Sequence, residues 1–375
     1  MLDVEALLRP YYDALVSDVG DLSLYDAHTH IGSNDPDGFK QDASDLLQVL
    51  ATVDARGVVF PMHEPDDGYS AANDHVIEVA AASDGRLVSF CRVNPHSGAV
   101  GIKLHPRAEQ FTLHTPGVRD IIALAHEREL PVLIHAGRGI PALGQDTVKL
   151  SEEFRGAKLI LAHCAISDLA WLWRLLPDHP NVFLDTAWWA PADLIAVFTL
   201  CPPANVVWAS DSPYGLPIAA AFMAFRCALQ AGLTAEQIHG IAGAQLERVL
   251  ARAEPLDLGP PPGEARTLDL LLERVVTHLT SAMGRAFGGG DPTESVALAR
   301  LACAVGDDAE HADVFAAVLE LLDLFDEHLA PPPPGRRFPV AGRFLLAALN
   351  VARTPDVSLP ARPSAPEPTR EAAET

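Results

Sequence analysis

The chain reads as an α/β protein, a (β/α)8 TIM barrel followed by a small all-helical C-terminal region and a disordered tail. Three observations lead there: eight short Val-, Ile- and Leu-rich runs in the first 254 residues, amphipathic helical stretches between most of them, and a change of composition after Glu254. Of the 31 prolines, 15 fall in residues 255–375, whereas 12 of the 15 histidines fall in residues 1–254. The side chain that most often ligates metals and moves protons is thus concentrated in the barrel.

An opening helix spans Val4 to Leu15. The strand candidates are Leu22 to His30, Val58 to Pro61, Leu87 to Val93, Ile102 to His105, Val132 to His135, Leu159 to His163, Val182 to Asp185 and Val206 to Ser210. Near-continuous apolar runs of this kind suit parallel strands buried on both faces. Helices such as Ala43 to Asp54, Val118 to Arg128 and Leu169 to Leu176 supply the crossovers. One crossover departs from the pattern, because only residues 94–101 separate the third strand from the fourth. A parallel return normally needs a dozen residues, and eight extended ones reach about 28 Å, enough for bare chain without a helix. The barrel is therefore expected to lack its third helix. The loss should uncover several hundred Å² of apolar surface unless another segment patches it, a cost of several kcal/mol at about 25 cal/mol per Å².

Pro217 to Ala231 and Thr234 to Ala253 read as closing helices, with Thr234 as N-cap of the second. The expected division is a barrel over 1–254, a Pro-rich linker over 255–265, a helical domain over 266–352 and a disordered tail over 353–375. Helical periodicity covers Leu268 to Ala286, Thr293 to Val305, Ala309 to His328 and Ala341 to Val351. Pro, Ala and Glu dominate the tail.

Composition narrows the function. With 49% hydrophobic and 21% charged residues the chain can bury a large core, and a net charge of −23 repels nucleic-acid phosphates and anionic lipid. The acidic start Met1-Leu2-Asp3-Val4-Glu5 does not resemble an export signal, and Leu216 to Phe225, the longest uncharged apolar run, is too short to span a bilayer. Five scattered cysteines form no disulfide or zinc-knuckle spacing. A soluble cytoplasmic protein acting on a small molecule is expected, with neither nucleic acid nor membrane as partner; a homo-oligomer is compatible with this.

Chemistry gathers at the strand ends. The first strand closes with Tyr25-Asp26-Ala27-His28-Thr29-His30, and period-two alternation puts both histidines on one face, where they can hold one metal. His135 ends the fifth strand, His163 the sixth, and Asp211 follows the eighth. In a barrel these positions share the catalytic mouth. Imidazoles with a carboxylate suit zinc, or manganese, iron or cobalt with lower affinity. Cys164, pointing the other way from His163, reads as a packed thiol. Lys103, one of four lysines, lies between Ile102 and Leu104 and must either reach water or face the barrel interior with a role.

This set, His-x-His on strand one, Lys on four, His on five and six and Asp on eight, resembles the amidohydrolase superfamily. More narrowly it is similar to the amidohydrolase-related (amidohydrolase 2) family of metal-dependent barrel hydrolases and lyases, over residues 20 to 252. The resemblance implies His28, His30, His135 and Asp211 around a divalent metal, with His163 a further ligand or a neighbouring base. In two-metal relatives the strand-four lysine is carboxylated and bridges the ions, so one or two ions are compatible with Lys103. On the hydrolytic reading a metal-activated water attacks an amide, lactone or ester, Asp211 accepts its proton, and His163 polarises the scissile carbonyl or steadies the developing oxyanion. The alternatives are a decarboxylase or hydratase of the same family and a catalytically impaired metal-binding scaffold. Arg138 is the candidate clamp for a substrate carboxylate, Trp188 and Trp189 are candidate walls for an aromatic or apolar substrate, and Tyr214 is a candidate for the pocket rim. His63 and Glu64 are candidates for the rim.

Overall fold

The computed structural model describes residues 3–64, 69–92, 101–137, 143–263, 268–306, 308–331 and 339–361. Helix α1 (Val4–Val19) precedes an eight-stranded parallel barrel: β1 (Tyr25–Ile31), β2 (Arg56–Pro61), β3 (Leu87–Arg92), β4 (Gly101–Leu104), β5 (Pro131–Ile134), β6 (Lys158–Leu161), β7 (Val182–Asp185) and β8 (Val206–Val207), each beside the next. The intervening helices are α2 (Ala43–Ala51), α3 (Ser70–Ala82), α4 (Pro116–Glu127), α5 (Leu143–Glu153), α6 (Leu169–Leu172) and α7 (Pro191–Leu200). The seam closes through Ala27 N–H to Trp208 O at 3.1 Å and His30 N–H to Ser212 O at 2.8 Å.

Side chains alternate between two apolar layers. Val58, Phe60, Phe90, Leu133, Ile160, Phe183 and Val207 fill the barrel interior, while Ile102, Leu104, Val132, Ile134, Leu159 and Leu161 face outward to the helices. The N-terminal end is plugged by Leu246 and Val249 of α10 (Gln245–Leu250), which leaves only the C-terminal end open for a site.

The short return from β3 to β4, residues 93–100, lies outside the described residues. The strands that it joins pair in parallel, Arg92 opposite Lys103. Their outward faces are not bare, the patched outcome of the two expected: Cys91, Ile102 and Leu104 are at most 1% exposed. Ile102 and Leu104 share an apolar cluster with Val76 of α3 and with Val118 and Ile122 of α4, so the flanking helices belong to the layer that covers them.

Strand β8 is shorter than its apolar run because Trp208 N–H leaves the sheet and donates to Ile241 O at 2.9 Å. Ile241 belongs to a π-helical turn, Gly240–Ala244, between α9 (Ala235–His239) and α10. Such a turn releases backbone groups from the regular ladder. Gly243 is required there, since a Cβ would lie 2.2 Å from Ser23 O. Thr234 caps α9 through a capping box with Gln237, as its spacing predicts.

After the barrel come α8 (Pro217–Ala231), α11 (Leu270–Phe287), α12 (Thr293–Ala302), α13 (Ala312–Glu327) and α14 (Gly342–Arg353). The last four share a core with Val4, Leu8 and Tyr11 of α1 and with Phe222 and Met223 of α8. Residues 354–361, whose composition suggests a tail, are seated on α8. Arg226, fully buried, donates to Thr354 Oγ1 at 3.0 Å and to the carbonyls of Thr354, Val357 and Ser358 at 2.9, 3.2 and 2.5 Å. Among the described residues no helix is long and apolar enough to cross a membrane.

Arg226→Leu is expected to lower the unfolding free energy by about 2–4 kcal/mol, because it strands buried carbonyls that now accept from a charged donor. Urea denaturation measures the loss, and limited proteolysis should cut near residue 357 in the variant before the wild type. Unchanged stability would remove the clamp from the account.

Candidate metal centre

A bulge in β1 sets up the site. Asp26 pairs with Gly57 and Thr29 with Val59, so β1 spends three steps against two on its neighbour. Bulges re-aim side chains, and here Ala27 faces the interior while His28 and His30 turn to the mouth. The carboxylate of Asp26 replaces the missing ladder contacts: its Oδ1 accepts from His28 N–H at 3.1 Å and from Ser210 N–H at 2.9 Å. Burial pushes this carboxyl up to about 7, and its second oxygen has no partner among the described residues.

His28 is 1% exposed and is oriented by Asp185, whose Oδ2 lies 2.7 Å from His28 Nδ1. A carboxylate on Nδ1 fixes the proton there and turns the Nε2 lone pair toward the mouth, the arrangement that metal-binding histidines commonly show. That Nε2 lies 3.2 Å from Asp211 Oδ1, and His30 Nε2 lies 3.1 Å from the same oxygen. His28, His30 and Asp211 offer ligand atoms that all lie within 4.8 Å of one another. Two acceptors face each other here, a repulsive contact unless positive charge lies beside them. Lys103, with no exposed surface, brings its Nζ within 3.2 Å of His28 Nε2 and 4.7 Å of the Phe60 ring.

The surroundings hold these groups away from their ordinary protonation. Burial, and next the charge of Lys103, hold the His28 imidazole neutral; burial likewise pushes Asp211 well up and Asp185 up. Lys103 is lowered to about 7, by burial against the opposing pull of Asp211 and Asp185. Two imidazole nitrogens and a carboxylate oxygen match zinc in donor type.

His163 and His135 lie beside this group and outside it. His163 stands past the end of β6 in a left-handed turn, with φ near 58° at His163, 57° at Cys164 and 48° at Ala165. Such φ values are costly without glycine and persist where other contacts impose them. Asp185 Oδ1 accepts from His163 N–H at 2.8 Å and from Ala187 N–H at 3.0 Å, while His163 Nδ1–H donates to Ala187 O at 2.8 Å. The remaining nitrogen, His163 Nε2, lies 3.0 Å from His135 Nδ1. His135 stacks flat on His105, ring centroids 3.9 Å apart and planes 12° from parallel. Gly137 must be glycine here, because a Cβ would come within 2.9 Å of His135 Nε2. Asp211 also has a positive φ, 58°. Cys164 is buried in the outer apolar cluster, as its direction predicts.

The proposed rim is partly in place. Trp188 stands 6.5 Å from the His163 ring, its Nε1–H donating to Asp193 at 2.7 Å, and Trp189 packs toward the C-terminal helical core. Tyr214 meets the His30 ring edge-on at 5.5 Å and donates its hydroxyl to Asp35. Glu64 accepts from the backbone of Ser33 and Asn34, and His63 Nδ1 lies 3.3 Å from Tyr69 Oη, which places both in loop bracing. Arg138 lies outside the described residues.

Sequence reasoning passed over Asp185, although it ends an apolar strand as His135 and His163 do, and gave no role to His105. It also missed the buried Arg92, which is held by Glu109 Oε1 at 2.7 Å, by Pro61 O at 3.2 Å and over Tyr69. Asp185→Asn should weaken metal binding roughly 10- to 100-fold by loosening the His28 tautomer. Competition with a chromogenic chelator measures this, and an unchanged affinity would mean that Asp185 does not orient the ligand.

Comparison with known proteins follows the same lines. A family model described as Amidohydrolase matches residues 10–244. No curated protein matches the chain. Among solved structures, a 2,6-dihydroxybenzoate decarboxylase complexed with 2,6-dihydroxybenzoate aligns at 13% identity and TM-score 0.50, covering 61% of this chain and 99% of that one. An uncharacterized TIM-barrel protein from Bordetella bronchiseptica aligns at 13% identity and TM-score 0.50, covering 62% and 99%. A 4-oxalomesaconate hydratase from Rhodopseudomonas palustris aligns at 16% identity and TM-score 0.48, covering 61% and 96%. The two alignments at TM-score 0.50 establish the barrel fold.

Proposed function

The chain belongs to the amidohydrolase family, and from that premise we propose a metal-dependent hydrolase that cleaves an amide, lactone or ester bond of a small molecule at the barrel mouth. What supports the metal reading is a single convergence: ligand atoms of His28, His30 and Asp211, brought from the two edges of the barrel seam, all lie within 4.8 Å of one another. His28, His30 and Asp211 would hold one divalent ion, with zinc the best match to the donors. The ion, when bound, would supply Lewis acidity and a lowered pKa for water.

The protein's own groups divide the remaining work. Asp211, its carboxyl raised by burial, accepts the proton of the attacking water and returns it to the leaving nitrogen or oxygen. His163 cannot polarise the substrate carbonyl while neutral, because its proton is committed to Ala187 O through Nδ1. Its Nε2 is an acceptor, met by His135 Nδ1–H. That leaves His163 the place that the resemblance implies, a ligand or base beside the ion, once its Nε2 is released from His135. His135 likewise pairs with His163 rather than joining the close group of ligand atoms. Trp188 and Tyr214 bound the space in which a small substrate sits.

Metal analysis of the purified protein should give about one ion per chain. His28→Ala should abolish it. Asp211→Asn, which keeps an oxygen for the ion but removes the proton acceptor, should lower kcat by roughly 10²- to 10⁴-fold on an ester, lactone and amide panel. Metal content unchanged in His28→Ala would overturn the site. Carbon dioxide release from carboxylates, or hydration without bond cleavage, would replace the hydrolase with a lyase on the same metal centre.

A further inference from the structure

His105 stands directly after β4 in the mouth, and its environment dictates a different chemistry from that of the other histidines. Its Nδ1 accepts a hydrogen bond from Ala108 N–H at 3.1 Å. A backbone N–H can only donate, so Nδ1 carries no proton, and the ring can be neither an imidazolium nor the Nδ1–H tautomer. The single ring proton is therefore on Nε2. Ligation of a metal through Nε2 would require an imidazolate, so this ring is excluded from the ligand set that His28 enters through its opposite tautomer. The ring is held in place by the flat stack on His135 at 3.9 Å, and by the turn that returns Glu109 N–H to His105 O at 3.1 Å. Nε2–H has no hydrogen-bond partner among the described residues, nor is it among the sealed polar atoms that lack one.

We propose that His105 is a catalytic residue: a neutral imidazole whose Nε2–H donates to the carbonyl or carboxylate oxygen of the bound substrate. It supplies the electrophilic contact that neutral His163 cannot make, because the proton of His163 is turned away to Ala187 O. A donor fixed before the substrate arrives needs no reorganisation as negative charge grows on that oxygen, which is why such donors favour the transition state over the ground state. The inference rests on the metal-centre reading for its setting, while the tautomer that it requires follows from the Ala108 contact alone.

The test uses the full chain with ¹⁵N-labelled histidines, and benzoate as a carboxylate probe that the aromatic walls can accommodate. Nitrogen shifts, assigned by their loss in His105→Asn, should show Nδ1 unprotonated and Nε2 protonated, and saturating benzoate should move the Nε2–H resonance. His105→Asn keeps an acceptor for Ala108 but has no donor at the Nε2 position. It should bind benzoate about 10- to 100-fold more weakly with metal content unchanged. His105→Gln, whose amide reaches the Nε2 position, should recover most of the affinity. An Nδ1–H tautomer, a resonance indifferent to benzoate, or equal affinity in His105→Asn would overturn the proposal. Loss of metal in both His105 variants would overturn it in favour of a ligand role. Absence of metal from the wild type, with the Nε2–H tautomer intact, would instead count against the metal centre.

Discussion

The contact between Asp185 and His28 governs the mouth of this barrel. Imidazole has two nitrogens and, when neutral, one proton, so whatever holds one nitrogen decides what the other can do. Asp185 holds Nδ1 of His28 and makes Nε2 a lone pair. The same carboxylate, through its other oxygen, gathers the backbone N–H groups of His163 and Ala187 and so imposes the turn in which His163 stands. One buried acid, with no exposed surface, thereby sets the tautomer of a histidine on β1 and the position of another after β6.

Strain and burial act together around it. His163, Cys164, Ala165 and Asp211 all have left-handed backbone without glycine. His163 and Asp211 depart from the strand direction where their side chains must turn to the mouth above the interior layer of Phe60, Phe90 and Phe183, while Cys164 and Ala165 pack outward. That aromatic and aliphatic floor excludes water from below, which lowers the local dielectric and holds His28 and His30 neutral and Asp211 raised. The same exclusion strengthens any interaction with a cation placed among them. The apolar layer is thus part of the electrostatics of the site.

Much of this is legible in the sequence because a barrel converts a simple pattern into a place. An ionisable residue directly after a Val-, Ile- or Leu-rich run lies at the mouth, and that rule alone finds His28, His30, His135, His163 and Asp211. Asp185 obeys it and was passed over because an acid at a strand end also reads as the start of a turn. What the pattern cannot carry is tautomer. His105 and His28 look alike as letters, and only the Ala108 N–H in one case and the Asp185 carboxylate in the other separate a donor from a lone pair. The β1 bulge is similarly hidden, since it depends on Asp26 reaching Ser210 across the seam. The left-handed turn at His163 is hidden because no glycine marks it. The short β3–β4 return is visible by counting residues. Which segments cover the strands on either side of it is not, because that depends on α3 and α4 sharing a core with Ile102 and Leu104.

The C-terminal helices connect to this centre through packing. Their core includes Phe222 and Met223 of α8, and Trp189 and Leu216 pack against it from the loops after β7 and β8. Gly215 lies between those loops, where a Cβ would come within 2.1 Å of Ser210 O and 3.4 Å of the Trp189 indole nitrogen. Asp211 follows Ser210 directly, so the backbone that presents the proposed proton acceptor is wedged against a residue that the helical region helps to seat. The Arg226 clamp fastens the far end of the same α8 to residues 354–358. Helix α8 is thereby gripped at both ends, by the mouth loops at its start and by the C-terminal strap near its finish. A helix so restrained limits the motion of the loop that precedes it. The helical region is thereby joined through shared core residues to the loop that carries Asp211.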